Sequence, residues 1–579
     1  MRKLSVADYF VELLIKNGIK DVFGYQGGMI AYIFDSLGKY RDKINYYSFG
    51  NEQGAAFAAC SYAEATKNFA VAISTSGPGF TNMTTGIANA WFDSIPVIYL
   101  SGNVNTKDKK RNSGFRQNGF QEIQAIKIAK SITKKTYEIE LGDNFISEFD
   151  DAIKEVMSDR RGPVYIDLPI NICREYVEFD DIKKYEKDKY DYIDVNSIID
   201  DLYKSERPVI IAGAGIKQAE LKKDFVKLVD NLKVPVVSTL PAVGLLSSDN
   251  ECRMGYIGGS GRREPGIVLQ NADFVVSIGT RLCSKQIGHN MSLFIPKAKK
   301  FYRVDIDNTE FERQLRDVEC DVNVNLKSFI KSVNKYLEEK PFNCKHKKWL
   351  DACIEIKKIL KNADITYGND IVRVVTELLP NNSNILFDVG KNLNYCGQSS
   401  IIKDDTDVYM SAGLGSMGYA IPASIGAYIG NKKLTCAFTG DGGAQMNIQE
   451  LNTIAKNKLP IKIVVFNNKA LGNIMMFQEV TFESRYVATS EKENDYFSCD
   501  FAKIAEAYGI KGIKLNDVND IVKCKEDLYN DKPVLFEIIY DDCPLLPSIV
   551  AGGDYITGGQ IKLSIEIQSA ITNVLKRFE

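Results

Sequence analysis

The sequence predicts an α/β protein of three doubly wound parallel-sheet domains, and three observations lead there. At 579 residues the chain exceeds what one hydrophobic core organises, so three domains of ordinary size are the natural division. Short β-rich apolar runs alternate with helical periodicity in three separate blocks. The runs are continuously apolar, as expected of strands that helices cover on both faces.

The first block, 1–180, contains FAVAIST, IPVIYLSG and GPVYIDLP and ends near the charged segment EFDDIKKYEKDKYDY. It begins with MRKLSVADYFVELLIKNGIK, whose charges interrupt the apolar run. That reads as one amphipathic helix, neither signal peptide nor membrane span, and places the protein in the cytoplasm. The second block, 190–340, runs from RPVIIAGAG through VPVVSTL, ADFVVSIG and KKFYRVDID to a linker at EEKPFNCKHKKW. The third, 360–579, holds SNILFDVG, LTCAFTGDG, IKIVVFNN and KPVLFEIIY.

Composition narrows the function. Hydrophobic residues make up 45% and charged residues 26%, a soluble balance. Basic residues number 73 against 75 acidic, which excludes an electrostatic nucleic-acid binder. The 12 cysteines lack a CxxC pair and read as reduced thiols. Only two histidines exist, His289 and His346, both read as solvated or locally bonded. Histidine-based triads and histidine-held metals are thereby disfavoured, and any catalysis falls to carboxylates or a cofactor.

The segment GDGGAQMNIQELNTIAKNKLPIKIVVFNN, residues 440–468, supplies a candidate site. Asp441 follows one predicted strand and Asn468 ends the next, so a right-handed crossover brings both to one edge of the sheet. A carboxylate and an amide oxygen are hard ligands that suit Mg²⁺ shared with phosphate oxygens. Gly440, Gly442 and Gly443 let backbone amides approach a diphosphate, with a helix beginning near Met446 offering its positive end.

This segment resembles the GDG…NN signature of thiamine-diphosphate enzymes, in which Asp441, Asn468 and the carbonyl of Ala470 hold the metal. NEQGAAFAACSYAEAT, SGPGFTN, FDSIPVIYLSG, FQE, SITK, RGPVYIDLP, GLGSMGYAIPASIG and NIQELNTI extend the resemblance, in order, to the acetohydroxyacid synthase (acetolactate synthase) catalytic subunit. The resemblance implies pyrimidine-binding, central flavin-binding-like and diphosphate-binding domains. It also implies a homodimer or homotetramer with the active site between subunits, and allows a small regulatory subunit. Glu52 is implied as the carboxyl group that drives the cofactor's aminopyrimidine into its imino form. Met417 is implied as the apolar wedge that bends the cofactor. Gly27, Gly28, Phe120, Gln121 and Lys134 are expected around the reacting centre, and Pro78, Asn82, Lys391, Asn392, Gly415, Leu471 and Gly472 around the cofactor.

In the central domain Gly213, Ala214, Gly215, Thr239, Leu240, Gly279, Thr280, Arg281, Asp305, Ile306 and Asp321, with Arg160, match flavin-contacting positions of the family. A bound FAD, outside the net reaction, would be structural. A glycine-rich turn after a strand also serves simple close packing.

Departures fall on the acceptor side. After GTR this chain has Ser284 and Lys285 where the family has aspartate and arginine, and lysine lacks the two-pronged geometry for a carboxylate. Phe477 replaces a tryptophan, Gln26 a proline, and Lys391–Asn392 a glutamine–histidine pair. The expected partners are a 2-ketoacid donor and a carbonyl acceptor. The expected reaction decarboxylates pyruvate and joins its two-carbon unit to a second carbonyl, giving 2-acetolactate when that is pyruvate. Transfer to another aldehyde or ketone, such as a nucleotide-linked keto-sugar, is the alternative reading. A catalytically silent paralogue is disfavoured by the presence of Glu52, Asp441 and Asn468.

Overall fold

The computed structural model describes residues 1–110, 113–186, 189–340 and 345–578. The middle of the expected linker, 341–344, and two residues of the charged segment, 187–188, lie outside them.

The fold holds three six-stranded sheets, and every pairing within them is parallel. Counting strands within each domain, the first sheet has the order 2-1-3-4-6-5 and the third repeats it. The middle sheet has the order 3-2-1-4-5-6, which is that of dinucleotide-binding folds. Strands that the apolar runs revealed are the central ones. The sequence reading missed Asp21–Gly24, Asn45–Ser48, Lys135–Glu138, Arg253–Tyr256, Glu319–Asn323, Asp407–Met410 and Lys511–Leu515. Most of these are edge strands with one face towards solvent, so their patterns are short and mixed.

Three local expectations are corrected. The first residues are not helical: Arg2–Ser5 is a strand that pairs antiparallel with Tyr176–Phe179. The helix is Val6–Lys16, started by the Ser5 hydroxyl, which accepts the Asp8 amide at 3.1 Å. The helix expected near Met446 instead begins at Asp441 and ends at Met446. His346, expected in a linker, is buried; its ring nitrogen meets the Ser205 carbonyl at 3.0 Å.

The first and third domains meet chiefly through one helix pair, Glu52–Thr66 and Ala420–Asn431. Small residues allow the close approach. A Cβ added at Gly426 would lie 1.9 Å from the Ala58 carbonyl oxygen, and the Ser61 hydroxyl donates across the seam to the Ala423 carbonyl at 2.6 Å. One core runs through both domains, from Phe57 and Met83 to Ile421 and Val465. The middle domain has its own core, and the end of the chain returns to it: Ile549, Tyr555, Ile571 and Val574 pack there with Trp349. The sequence-based block 360–579 thus groups residues that pack with two different cores. Eleven cysteines among the described residues are free, and among those residues no helix is long and apolar enough to cross a membrane.

Gly426→Ala tests the seam. Alanine gains about 1 kcal/mol of helix propensity, but overpacking against backbone costs about 1–3 kcal/mol, so the clash prevails. The variant should unfold at lower urea than the parent. An unchanged or higher midpoint would show that the helices are not held this closely.

Candidate active site

In the third sheet the strand order reverses between Ser383–Phe387 and Leu434–Gly440, the crevice where open α/β sheets bind ligands. Asp388 leaves the first of these strands and Asp441 the second. Next to them Ile461–Asn467 delivers Asn468, in register with Leu434–Gly440 through Gly440 and Phe466. The expected pair therefore stands at adjacent strand ends.

The two aspartates are treated differently. Asp388 is fully buried and accepts from the amides of Val389, Gly418 and Ala420 and from the Thr439 hydroxyl, at 2.7, 2.9, 3.2 and 3.0 Å. Burial pushes its carboxyl up to about 6 against these donors. Its grip on Gly418 and Ala420 fixes the turn that presents Met417, whose methyl would be 3.3 Å from a Cβ on Gly442. Asp441 is 2% exposed, and its Oδ1 accepts the Gly442 amide at 3.0 Å. Its Oδ2 is buried without a hydrogen-bond partner among the described residues. Burial pushes this carboxyl up to about 6 as well, partly offset by Gly442 and the nearby Tyr496 and Ser498. A buried carboxylate oxygen left over is a position a cation would satisfy. A divalent metal with diphosphate oxygens fits that donor set, because one carboxylate and an amide are enough when phosphate brings the remaining charge.

Around this edge Gly440 faces the Asn392 amide oxygen, and Gly442 packs on Leu471. Gly415 has φ +73° and open space where a side chain would stand. Ala470 is buried and bridges to Ser490. Asn392 donates to the Asp388 carbonyl at 2.8 Å, and Lys391 is buried.

In the first sheet the order reverses between Asp21–Gly24 and Ala70–Ser74. Gly27 follows the first strand, so close to Thr75 that a Cβ would stand 2.6 Å from that residue's Cβ, while Gly28 is open. Pro78 opens the helix Pro78–Phe92, whose Asn82 donates to Glu52 Oε2 at 2.9 Å. Glu52 is the first residue of its helix, capped by Asn51, and is 8% exposed. Its start is held from the third domain: fully buried Glu450 accepts the amides of Gly50 and Asn51, both at 3.2 Å. Burial raises the Glu450 carboxyl above the usual range. Sequence reasoning missed Glu450 and Asp388 as positioning groups, although both stood in quoted motifs; an acid inside an apolar run was the available signal.

Of the other expected residues, Gln121 packs against the turn before Pro78, where a Cβ on Gly77 would stand 2.7 Å from its carbonyl oxygen. Lys134 reaches the carbonyls of Glu155 and Ser158, at 2.6 and 2.8 Å, at the end of the helix Phe145–Met157. Gln121 has φ +61°, and Phe120 is 76% exposed. Phe477, 55% exposed, meets Phe482 edge-on. Lys285 is exposed on the short helix Ser284–Ile287.

The middle sheet reverses between Pro208–Ala212 and Phe274–Ile278. A cavity of about 240 Å³ opens there, lined by Arg160, Ala214, Gly215, Thr239, Gly279, Thr280, Arg281, Asp305 and Ile306, with Asp93 and Ala412 from the outer domains. Arg160 pairs with Asp307 at 2.7 Å and Glu310 at 2.9 Å. Gly213 packs on Gly279, Leu240 lies against Gly397, and Asp321 is exposed, so these three line no part of it. Gly213 is fixed by packing alone, since a Cβ would fall 1.9 Å from the Gly279 carbonyl oxygen.

Two sheets of identical order joined through one helix pair, with a cation-ready carboxylate at one switch point, define a cofactor-dependent α/β enzyme. Three family models match it: thiamine pyrophosphate enzyme, N-terminal TPP binding domain, over residues 4–128; central domain, over 195–333; and C-terminal TPP binding domain, over 388–538. Over 569 residues the chain is 30% identical to a probable acetolactate synthase large subunit of Methanocaldococcus jannaschii, covering 94% of each. It is 29% identical to the acetolactate synthase large subunit of Lactococcus lactis, covering 95% of each. With acetolactate synthase isozyme 2 large subunit of Escherichia coli it shares 27% identity, over 94% of this chain and 98% of that one. The chain belongs to the acetolactate synthase large-subunit family of thiamine pyrophosphate enzymes.

Proposed function

We propose that the enzyme decarboxylates pyruvate and joins the remaining two-carbon unit to a second carbonyl, with pyruvate as acceptor and 2-acetolactate as product. The observation that carries this reading is the unpartnered Oδ2 of buried Asp441 beside Asn468 at the switch point of the third sheet. Asp441, Asn468 and the Ala470 carbonyl would hold Mg²⁺, and with it the diphosphate. When bound, thiamine diphosphate supplies an electron sink for decarboxylation and carbon–carbon bond formation.

The chain's own groups position, hold protons and exclude water. Asn82 occupies one oxygen of Glu52, which fixes the carboxyl group that would hold a proton at the pyrimidine ring. Asp388 fixes the Met417 turn through Gly418, so the wedge is rigid before any ligand arrives. Phe120 and Phe477 are large apolar side chains exposed in one chain, which supports a site completed between two subunits, as homodimer or homotetramer. The relatives' designation as large subunits supports a small regulatory partner.

Lys285 is the residue that keeps another acceptor in view. A compact ammonium holds a carboxylate less tightly than the paired donors of arginine. Incubating the enzyme with pyruvate and a panel of ketoacids, aldehydes and keto-sugars, with mass-spectrometric product analysis, should give acetolactate as the main product. Lys285→Arg should raise acetolactate relative to free acetaldehyde about ten- to thirtyfold while decarboxylation stays nearly unchanged. A keto-sugar adduct as main product would overturn pyruvate as acceptor, and an unmoved ratio would remove Lys285 from the acceptor site.

We propose FAD in the central cavity. The sheet order and the switch-point cavity lined by Arg160, Thr239, Arg281 and Asp305 support it; the glycine turn does not discriminate, because packing accounts for Gly213. The purified protein should carry flavin absorbance that turnover does not bleach. A protein that stays colourless after incubation with FAD contradicts the assignment.

A further inference from the structure

Asp542 lies just beyond the strand Val534–Ile539, beside an exposed neighbour, Asp541. Both of its carboxylate oxygens are used. Oδ1 accepts the side-chain amide of Asn468 at 2.8 Å, and Oδ2 accepts the Lys391 ammonium at 2.6 Å. Lys391 also donates to the Cys543 carbonyl at 3.0 Å, and the side chains of Lys391 and Asp542 are only 5% and 13% exposed. All three groups converge on Gly472: a Cβ there would stand 2.8 Å from Asn468 Nδ2, 2.9 Å from Asp542 Oδ1 and 3.1 Å from Lys391 Cδ. The close approach leaves glycine as the residue this junction accepts.

A carboxylate only accepts hydrogen bonds, so it dictates which end of a neighbouring amide faces it. The nitrogen of Asn468 must point to Asp542, and the oxygen is the end left for a cation. Lys391 needs a counter-charge because it is buried, and Asp542 provides one. An ammonium carries three N–H donors, of which Asp542 and Cys543 take two, leaving one for a phosphate oxygen.

We infer that Asp542 is a positioning residue of the cofactor site: it aims the Asn468 oxygen at the metal and holds the Lys391 ammonium at the diphosphate. The inference rests on the thiamine-diphosphate reading of Asp441 and Asn468 and adds an outer partner to it. Such partners of metal ligands set ligand orientation and affect metal affinity tenfold to a hundredfold.

The test is a Mg²⁺ titration by calorimetry at saturating thiamine diphosphate, on the full-length chain. Asp542→Ala should raise the half-saturating Mg²⁺ concentration roughly ten- to a hundredfold, whereas Asp541→Ala should leave it within about twofold. Thiamine-diphosphate affinity at excess Mg²⁺ should fall as well, because the Lys391 ammonium is no longer held at the diphosphate, while Asp541→Ala should leave it unchanged, as general loosening of the loop would not. A folded Asp542→Ala with unchanged Mg²⁺ dependence, or an equal rise in Asp541→Ala, overturns the proposal. If Asp542→Ala does not fold, Asp542→Asn decides: an amide no longer dictates the orientation of Asn468, so a rise of at least about threefold is expected, and none contradicts it. A parent chain that binds no thiamine diphosphate at any Mg²⁺ concentration overturns the cofactor reading, and this inference with it.

Discussion

The close seam between the helices Glu52–Thr66 and Ala420–Asn431 is the constraint on which the rest depends. Gly426 against the Ala58 carbonyl, Gly430 against Ala65 and the Ser61 hydroxyl on Ala423 bring two sheets of the same order into one core. Small side chains let backbones approach, and the apolar faces that remain fill the interior. The N-terminus of the first helix carries Glu52, so the packing that joins the domains also sets where that carboxyl group stands. Glu450 adds a polar link to the same point by accepting the Gly50 and Asn51 amides.

Burial of acidic groups at strand ends organises the chemistry. Taking a carboxylate out of water is costly unless donors replace the water. Asp388 receives four, and the result is a rigid Met417 turn. Asp93 receives the Ala412 and Gly413 amides and ties the first domain to the third beside the central cavity; burial pushes its carboxyl up to about 6. Asp441 keeps one oxygen, Oδ2, without a hydrogen-bond partner among the described residues, which is what supports it as the proposed ligand of a cation. Buried Asp388 and half-buried Asp93 thus hold the scaffold, while Asp441, with a similar upward shift, keeps an oxygen free of hydrogen bonds among the described residues.

Much of this was legible in the sequence, for physical reasons. Central strands are buried on both faces, so FAVAIST, PVIIA and IKIVVFNN announced themselves, and the GDG…NN spacing set Asp441 and Asn468 on neighbouring strand ends. Edge strands such as Lys511–Leu515 carry mixed patterns and escaped. Groups that act through long-range contacts also escaped: nothing local links Asp542 to Asn468, 74 residues earlier, or Glu450 to Gly50, 400 residues away. Lys134 shows another such contact, since its ammonium donates to the helix-end carbonyls of Glu155 and Ser158, which its motif did not announce. The GAG turn had two readings, and backbone contact with Gly279 accounts for its first glycine without a ligand.

On the proposed function, this seam would deliver Glu52 to proton transfer on a bound thiamine diphosphate. The most direct measurement is hydrogen–deuterium exchange at the thiazolium C2 of the bound cofactor, followed by NMR in the parent and in Glu52→Gln. Glutamine keeps the shape and removes the carboxyl group, so the account predicts an intact fold, retained cofactor and exchange slowed by about 100-fold or more. Exchange at the parent rate in Glu52→Gln would contradict it.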